Sequence, residues 1–180
     1  AGATGVLCGT LDEVEAVAKA GVEKIMYAYP VASPQSIERV IKVTKERDLI
    51  IRIDDLDAAK MISEAALKTG VTVSYTIIIN AGLTRFGIEP EDAVKFADSL
   101  KGLRGLKLRG ISTHPGHVYA ATKKEEVAQY VKAEKESIKV AADALREAGY
   151  KLEYVTSGAT PTFWGSIDDE NIKVFHPGNY

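Results

Sequence analysis

The side chains best suited to chemistry in this 180-residue chain lie in loops that follow short apolar runs. The first such loop, residues 80–87, places Arg85 between two glycines. A guanidinium stays charged and carries five N–H donors, so Arg85 is suited to bind an anionic oxygen of a cofactor. The alternative is a surface arginine paired with an acid of a neighbouring helix. The flanking glycines favour the ligand-binding role.

A second loop, residues 112–119, brings His114, His117 and Tyr119 together in one short turn. Two histidines at this spacing could ligate a metal ion, but Pro115-Gly116 interrupts any helix between them and no third ligand is nearby. We therefore predict no metal site within the chain. Ring stacking or hydrogen bonding to a ligand is the preferred role for a histidine or tyrosine here. The alternative is a turn with one buried, hydrogen-bonded histidine.

Two further loops have the composition of phosphate-binding turns. Residues 156–162 combine hydroxyl groups, backbone N–H groups and a glycine in a predicted strand-to-helix turn. Residues 176–179 form a second glycine loop after the next apolar run. Either loop alone could be an ordinary turn. Because phosphate sites of α/β barrels lie on the loops after the last two strands, the two loops together predict a phosphate site.

Seven apolar runs rich in β-branched and aromatic residues predict strands, and longer segments of helical period separate them. The predicted strands are residues 5–9, 24–30, 49–54, 71–79, 106–114, 152–157 and 172–176. Helices are predicted from residue 10, from residue 33, over residues 55–67, from residue 89 and over residues 122–148. This alternation is typical of βα units that build a parallel sheet.

The helix ends carry their own signals. Thr10, Ser33 and Asp55 each precede a predicted helix and are of the residue types that cap helix N-termini. Glycines that should adopt the left-handed conformation after a helix end are Gly21, Gly70, Gly102 and Gly149.

The fold class that these elements predict is α/β. Eight strands close a (β/α)8 TIM barrel at the usual tilt and shear, so seven strands leave it one short. An open doubly wound sheet is the alternative, but no Gly-x-Gly-x-x-Gly follows the first predicted strand. Polar residues instead follow nearly every strand, as at the active face of a barrel. We therefore predict a barrel whose first βα unit is missing.

Composition and charge exclude several classes of protein. The chain is 46% hydrophobic and 27% charged with a formal net charge of −2, and neither sign forms a block, so we expect no nucleic acid or membrane partner. Its one cysteine, Cys8, cannot form an internal disulfide and is expected to fill the core. No apolar run approaches the roughly 20 residues that span a bilayer. A cytoplasmic location is the expectation.

Taken together, these motifs resemble the fold-type III pyridoxal-phosphate enzymes, whose barrel is that of the alanine racemase N-terminal domain. Within that family, the chain resembles the D-threonine aldolase and D-serine dehydratase group more than alanine racemase itself. The segments that carry the resemblance are residues 5–15, residues 82–87 with Arg85, His117-Val118-Tyr119, residues 157–162 and Pro177-Gly178-Asn179-Tyr180.

The resemblance implies pyridoxal 5'-phosphate as the cofactor and gives roles to individual residues. The phosphate would be held by Ser157, Gly158, Thr160, Gly178 and Asn179. Arg85 would contact the phenolate oxygen of the cofactor ring, and His117 or Tyr119 would lie beside the ring. The chain departs from the family pattern at two places: Asn80 stands where the family usually has Asp, and His176 where many members have Arg.

The resemblance also implies what the whole protein does. It would be a lyase acting on a small D-amino acid, with a divalent metal possible in the full-length protein and homodimer formation possible. Its Schiff-base lysine is expected upstream of Ala1 and a β-rich domain beyond Tyr180. We therefore expect residues 1–180 to form one partial barrel domain that has no catalytic residue of its own and is inactive alone.

Three alternatives remain open from the sequence. A single-domain carrier of pyridoxal phosphate would use the same barrel without a catalytic partner domain. An alanine or other amino-acid racemase would share the cofactor site. A barrel isomerase that binds a phosphate without any cofactor would use only the glycine loops.

Overall fold

Seven parallel strands alternate with helices in the computed structural model, which describes residues 2–178. The strands are β1 (Val6–Cys8), β2 (Lys24–Pro30), β3 (Asp48–Ile53), β4 (Val73–Ile78), β5 (Leu106–Ser112), β6 (Tyr154–Ser157) and β7 (Val174–Phe175). The helices are α1 (Leu11–Lys19), α2 (Pro34–Thr44), α3 (Leu56–Thr69), α4 (Ala93–Leu100), α5 (Lys124–Glu147) and α6 (Thr160–Ser166), with short 3₁₀ helices at Pro90–Asp92 and Gly116–Ala120. Every predicted strand is confirmed, with small differences at the ends.

The strand order within the sheet follows the order of the chain, from β1 to β7. Pairing is parallel at β1–β2, β2–β3, β5–β6 and β6–β7, with Cys8 opposite Tyr27 and Ser157 opposite Phe175. A doubly wound sheet reverses its strand order at a switch point, whereas a barrel adds each strand beside the previous one. The sequential order therefore excludes the doubly wound alternative.

One compact unit comprises residues 1–76 and 99–109. Its core is apolar and draws on both strands and helices, through the buried side chains of Val14, Ile25, Val40, Leu49, Ile51, Ala59 and Ile62. Cys8 is 2% exposed, which confirms its predicted place in the core. Arg52 is equally buried and donates a hydrogen bond to the carbonyl oxygen of Ala28 at 3.1 Å.

The second compact unit comprises residues 77–98 and 110–180. Its buried apolar side chains come from strand ends and from α5, and include Ile77, Ile111, Val118, Ile138, Ala141, Leu145 and Val155. The loops that follow β4, β5, β6 and β7 all belong to this unit. Every candidate site residue that the structure describes therefore lies in this unit.

The three predicted N-caps are confirmed. Thr10 forms a capping box with Glu13, the Ser33 hydroxyl accepts from the Ser36 N–H, and the Asp55 carboxylate accepts from the Ala58 N–H at 2.8 Å. Each of these bonds satisfies an N–H that the first helical turn leaves without a partner.

The predicted left-handed conformation is confirmed for Gly21, Gly70 and Gly149. The prediction is wrong for Gly102, whose φ is not positive. The chain leaves α4 through a turn in which the Leu103 N–H donates to the Leu100 carbonyl oxygen at 3.0 Å. The left-handed residue in this connection is Gly105, with φ 81°.

No helix within residues 2–178 combines the length and apolar character needed to cross a membrane.

Gly110 allows β5 and β6 to approach closely, because a Cβ at this position would lie 1.7 Å from the Tyr154 carbonyl oxygen. We predict that Gly110→Ala lowers the free energy of unfolding by about 2 kcal/mol or more, as overpacking forces the paired strands apart. Denaturant unfolding measures this loss. The control is Gly102→Ala, where nothing lies within 4 Å of the added Cβ and the change should stay within about 0.5 kcal/mol. Equal stabilities of the two variants would contradict the prediction.

Candidate cofactor site

Backbone hydrogen bonds continue past the strand ends into the loops of the second unit. The Ile79 N–H donates to the Ser112 carbonyl at 2.8 Å, and the Thr113 N–H donates to the Thr156 carbonyl at 2.9 Å. The His176 N–H donates to the Ser157 carbonyl at 3.0 Å. Since parallel strands have their carboxyl ends at the same edge of a sheet, this pairing sets the four loops side by side.

The loops after β4, β5, β6 and β7 thus form a row. Within this row, histidine side chains contact glycine residues of a neighbouring loop. A Cβ at residue 82 would lie 2.9 Å from Nε2 of His117, so the loops after β4 and β5 are in contact. His114 Nδ1 is hydrogen-bonded to the Gly158 carbonyl oxygen, which joins the loops after β5 and β6. A Cβ at residue 158 would lie 2.1 Å from His176 Nδ1, which joins the loops after β6 and β7. Only glycine fits at residue 158.

Asn80 organises the loop after β4. Its Oδ1 accepts from the N–H groups of Gly82 and Thr84, at 3.0 and 3.1 Å. Thr84 has a left-handed φ of 54°, a conformation that such local hydrogen bonds help to hold. The Asn80 amide nitrogen donates to Glu89 Oε1 at 2.8 Å. An ionised aspartate, the residue that the family usually has here, could not donate this hydrogen bond to Glu89.

Arg85 follows directly in the same loop and is exposed. Its guanidinium lies 4.4 Å from the centre of the Phe86 ring, a cation–π contact that restrains the side chain.

His117 is held between two loops and a helix. Its ring meets Tyr130 of α5 edge-on, with the centroids 4.7 Å apart. Burial lowers the pKa of His117, so its imidazole is neutral near neutral pH. Its Nδ1 is buried and has no hydrogen-bond partner among the described residues. Tyr119, the alternative candidate, is 50% exposed, so His117 is the one of the two that the structure places within the row of loops.

The turn after β6 is largely buried, unlike an anion-binding turn on the protein surface. Ser157 and Gly158 are buried, Thr160 is half-buried at the start of α6, and Gly178 is exposed. The opposition of Ser157 and Phe175 brings this turn beside His176, shortly before Gly178. Asn179, the remaining predicted phosphate ligand, lies outside the described residues.

The partner of the Ser157 hydroxyl was missed by the sequence analysis. This hydroxyl donates to Glu134 of α5, a carboxyl group that is 1% exposed. Glu134 falls on the buried face of α5, in helical register with Val131 and Ile138. An acid in an apolar stripe of helical period is the signal that could have identified it, because buried acids almost always have a specific partner.

No group of three or more His, Cys, Asp or Glu side chains that could hold a metal ion occurs within residues 2–178. His114 and His117, the pair considered from sequence, instead contact different loops through Gly158 and Gly82.

The chain belongs to the family described as alanine racemase, N-terminal domain, whose model matches residues 1–179. This is the barrel domain of the fold-type III pyridoxal-phosphate enzymes, so the predicted resemblance and fold class are confirmed.

Two relatives illustrate the match. The chain is 27% identical over 181 residues to 3-hydroxy-D-aspartate aldolase of Paracoccus denitrificans (strain Pd 1222), covering 99% of this chain and 47% of that protein. It is 30% identical over 183 residues to D-threo-3-hydroxyaspartate dehydratase of Delftia sp. (strain HT23), covering 100% of this chain and 48% of that protein. The chain thus spans about half the length of the curated relatives it matches.

A solved structure supports the same fold. The crystal structure of D-threonine aldolase from Filomicrobium marinum superposes with a TM-score of 0.92 at 24% identity, over 98% of this chain and 48% of that one.

The contact between Gly82 and His117 generates a prediction about stability. Gly82 and Gly21 both have positive φ, but only Gly82 would direct a new Cβ at another side chain. We predict that Gly82→Ala lowers the free energy of unfolding by about 1 kcal/mol more than Gly21→Ala. The reason is that the His117 ring already packs against Tyr130, so it cannot move away from the new methyl group without losing that contact. Denaturant unfolding of both variants, in the parent and in a His117→Ala background, measures how much of the difference in free energy of unfolding comes from the contact with His117. A difference that persists without His117 would contradict it.

Proposed function

We propose that residues 1–180 form one pyridoxal-phosphate-binding barrel domain of a lyase that acts on D-amino acids, of the D-threonine aldolase or D-serine dehydratase type. The observation that supports the proposal is the row of touching loops after β4 to β7, since these loops carry Arg85, His117 and the hydroxyl-rich turn after β6. The family match over residues 1–179 supports it.

The residues present fit the cofactor's chemistry. Pyridoxal phosphate has a flat ring, a phenolate oxygen and a phosphate group, and each needs a different partner. Arg85 supplies N–H donors for the phenolate oxygen. The neutral ring of His117, whose buried Nδ1 has no partner among the described residues, suits the face of the aromatic ring.

For the phosphate, the proposal assigns the turn of Ser157, Gly158 and Thr160, together with Gly178 and Asn179. The close approach of Gly158 to His176 supports this assignment, because it holds the turn backbone in a fixed position beside the last loop. The buried state of Ser157 further implies that backbone N–H groups of the turn, rather than the Ser157 hydroxyl, face the phosphate.

When bound, pyridoxal phosphate supplies an electron sink for bond cleavage at the α-carbon of an amino acid. The residues of this chain bind the phosphate, orient the ring and hold a hydrogen bond at the phenolate oxygen. We place the covalent lysine and any divalent-metal ligands in the remainder of the protein, since the chain spans about half of its relatives. The isolated chain is accordingly expected to lack turnover.

The substrate that we propose is a small D-amino acid with a hydroxyl group on its β-carbon. The support is that the named relatives are an aldolase and a dehydratase of 3-hydroxy-D-aspartate. We further propose that the enzyme is cytoplasmic and that it forms a homodimer.

The role of Arg85 can be tested in the full-length protein. We predict that Arg85→Ala raises the Kd for pyridoxal phosphate about 10-fold or more, because a charge-assisted hydrogen bond contributes roughly 1.5–3 kcal/mol. Equilibrium titration of the cofactor measures the change, and Arg104→Ala, an exposed arginine of the other unit, is the matched control. An unchanged Kd in Arg85→Ala would show that the site assignment is wrong. A parent protein that binds pyridoxal no less tightly than pyridoxal phosphate would overturn the proposed function.

A further inference from the structure

Glu134 is a buried carboxyl group that the proposed cofactor chemistry does not use. It lies within α5 and is 1% exposed. Its two oxygens take hydrogen bonds from two different elements: Oε1 from the hydroxyl of Ser157 at the end of β6, and Oε2 from the hydroxyl of Ser166 in α6, the latter at 2.9 Å. Glu134 therefore joins the end of β6 to the end of α6.

Close helix packing makes this reach possible. A Cβ at Gly165 of α6 would lie 2.7 Å from Cγ2 of Val131, so the absence of a side chain at Gly165 lets α6 pack closely on the Val131 side chain of α5. Val131 lies one helical turn before Glu134 on α5. Gly165, which contacts Val131, directly precedes Ser166 in α6. The glycine thus brings Ser166 within reach of the carboxyl group.

The hydrogen-bond partners of Glu134 are hydroxyl groups. Besides Ser157 and Ser166, the hydroxyl of Thr162 in α6 is hydrogen-bonded to the Glu134 carboxyl group. None of these three partners carries a positive charge. A buried carboxyl group that is held by neutral donors alone favours its protonated form, because burial disfavours an unpaired charge.

Burial has the largest effect on the Glu134 carboxyl group, and the net result is a raised pKa. The hydrogen bonds from Thr162 and Ser166 lower the pKa, Asp169 raises it, and Lys135 on the same helix lowers it. The other titratable groups at this turn are His114 and His176, which contact Gly158 rather than the carboxyl group. None of the ion pairs described within residues 2–178 includes Glu134.

We propose that Glu134 is a positioning residue, neutral at physiological pH, that fixes the turn of residues 157–160 in the conformation that receives the cofactor phosphate. This inference rests on the proposed function. The physical reason is that an ionised carboxylate in contact with this turn would repel a phosphate dianion through a low-dielectric interior, whereas a neutral acid holds the same hydrogen bonds without repulsion.

The test uses the full-length protein and two probes, pyridoxal phosphate and pyridoxal, which differ only in the phosphate. Glu134→Ala should raise the Kd for pyridoxal phosphate about 10-fold or more while leaving the Kd for pyridoxal within about 2-fold. Glu134→Gln should stay within about 3-fold of the parent for both probes, because its amide is neutral and has nearly the same shape as the protonated acid. Glu136→Gln, an exposed acid of the same helix, is the matched control and should change neither Kd.

A spectroscopic measurement tests the proton directly. The infrared difference between the parent and Glu134→Gln at neutral pH should contain the C=O stretch of a protonated carboxyl group. If that band is absent, or if Glu134→Gln loses pyridoxal phosphate as Glu134→Ala does, the carboxylate is the required form and the proposal is overturned.

The remaining outcomes separate this inference from the proposed function. A parent that prefers pyridoxal phosphate over pyridoxal, with a Glu134→Ala variant that keeps the same preference, would overturn the inference alone. A parent without any preference would overturn the proposed function and the inference with it. If Glu134→Ala does not fold, the Glu134→Gln titrations and the infrared band decide whether the inference about Glu134 holds.

Discussion

Parallel backbone pairing at the carboxyl ends of β4 to β7 is the interaction on which the candidate site depends. The pairing continues beyond the strands, from Ile79 to Ser112, from Thr113 to Thr156 and from Ser157 to His176. Loops that are far apart in the chain are thereby placed side by side, at separations fixed by the spacing of strands in a sheet. The imidazole of His117 and the turn at Gly158 owe their positions to this pairing more than to their local sequence.

Two polar side chains that have specific partners, Asn80 and Glu134, support this arrangement. Asn80 closes the loop that presents Arg85, and Glu134 joins β6 to α6 through hydroxyl groups. Burying a polar group without a partner is unfavourable by roughly 1–3 kcal/mol, so such groups specify one arrangement of their loops. At the two positions that depart from the family pattern, Asn80 donates a hydrogen bond to Glu89, and the ring of His176 packs against Gly158.

Much of the fold could be predicted because its determinants are local. The alternation of apolar runs and helical periods located all seven strands, and Thr10, Ser33 and Asp55 marked helix starts through hydrogen bonds that span only three residues. Gly102 shows the limit of such signals, since a glycine after a helix permits the left-handed conformation without requiring it. The loop motifs also sufficed to identify the family.

The sequence by itself determined which elements form, which loops carry polar groups and which family the chain belongs to. Tertiary structure decided which of those groups meet: His114 with Gly158, Gly82 with His117, and Ser157 with Glu134. In a parallel sheet, neighbouring strand ends are separated in the chain by a whole helical crossover, so no fixed spacing in the sequence encodes their contacts. Glu134 shows this most clearly, because its hydrogen-bond partners Ser157 and Ser166 come from a strand end and from another helix.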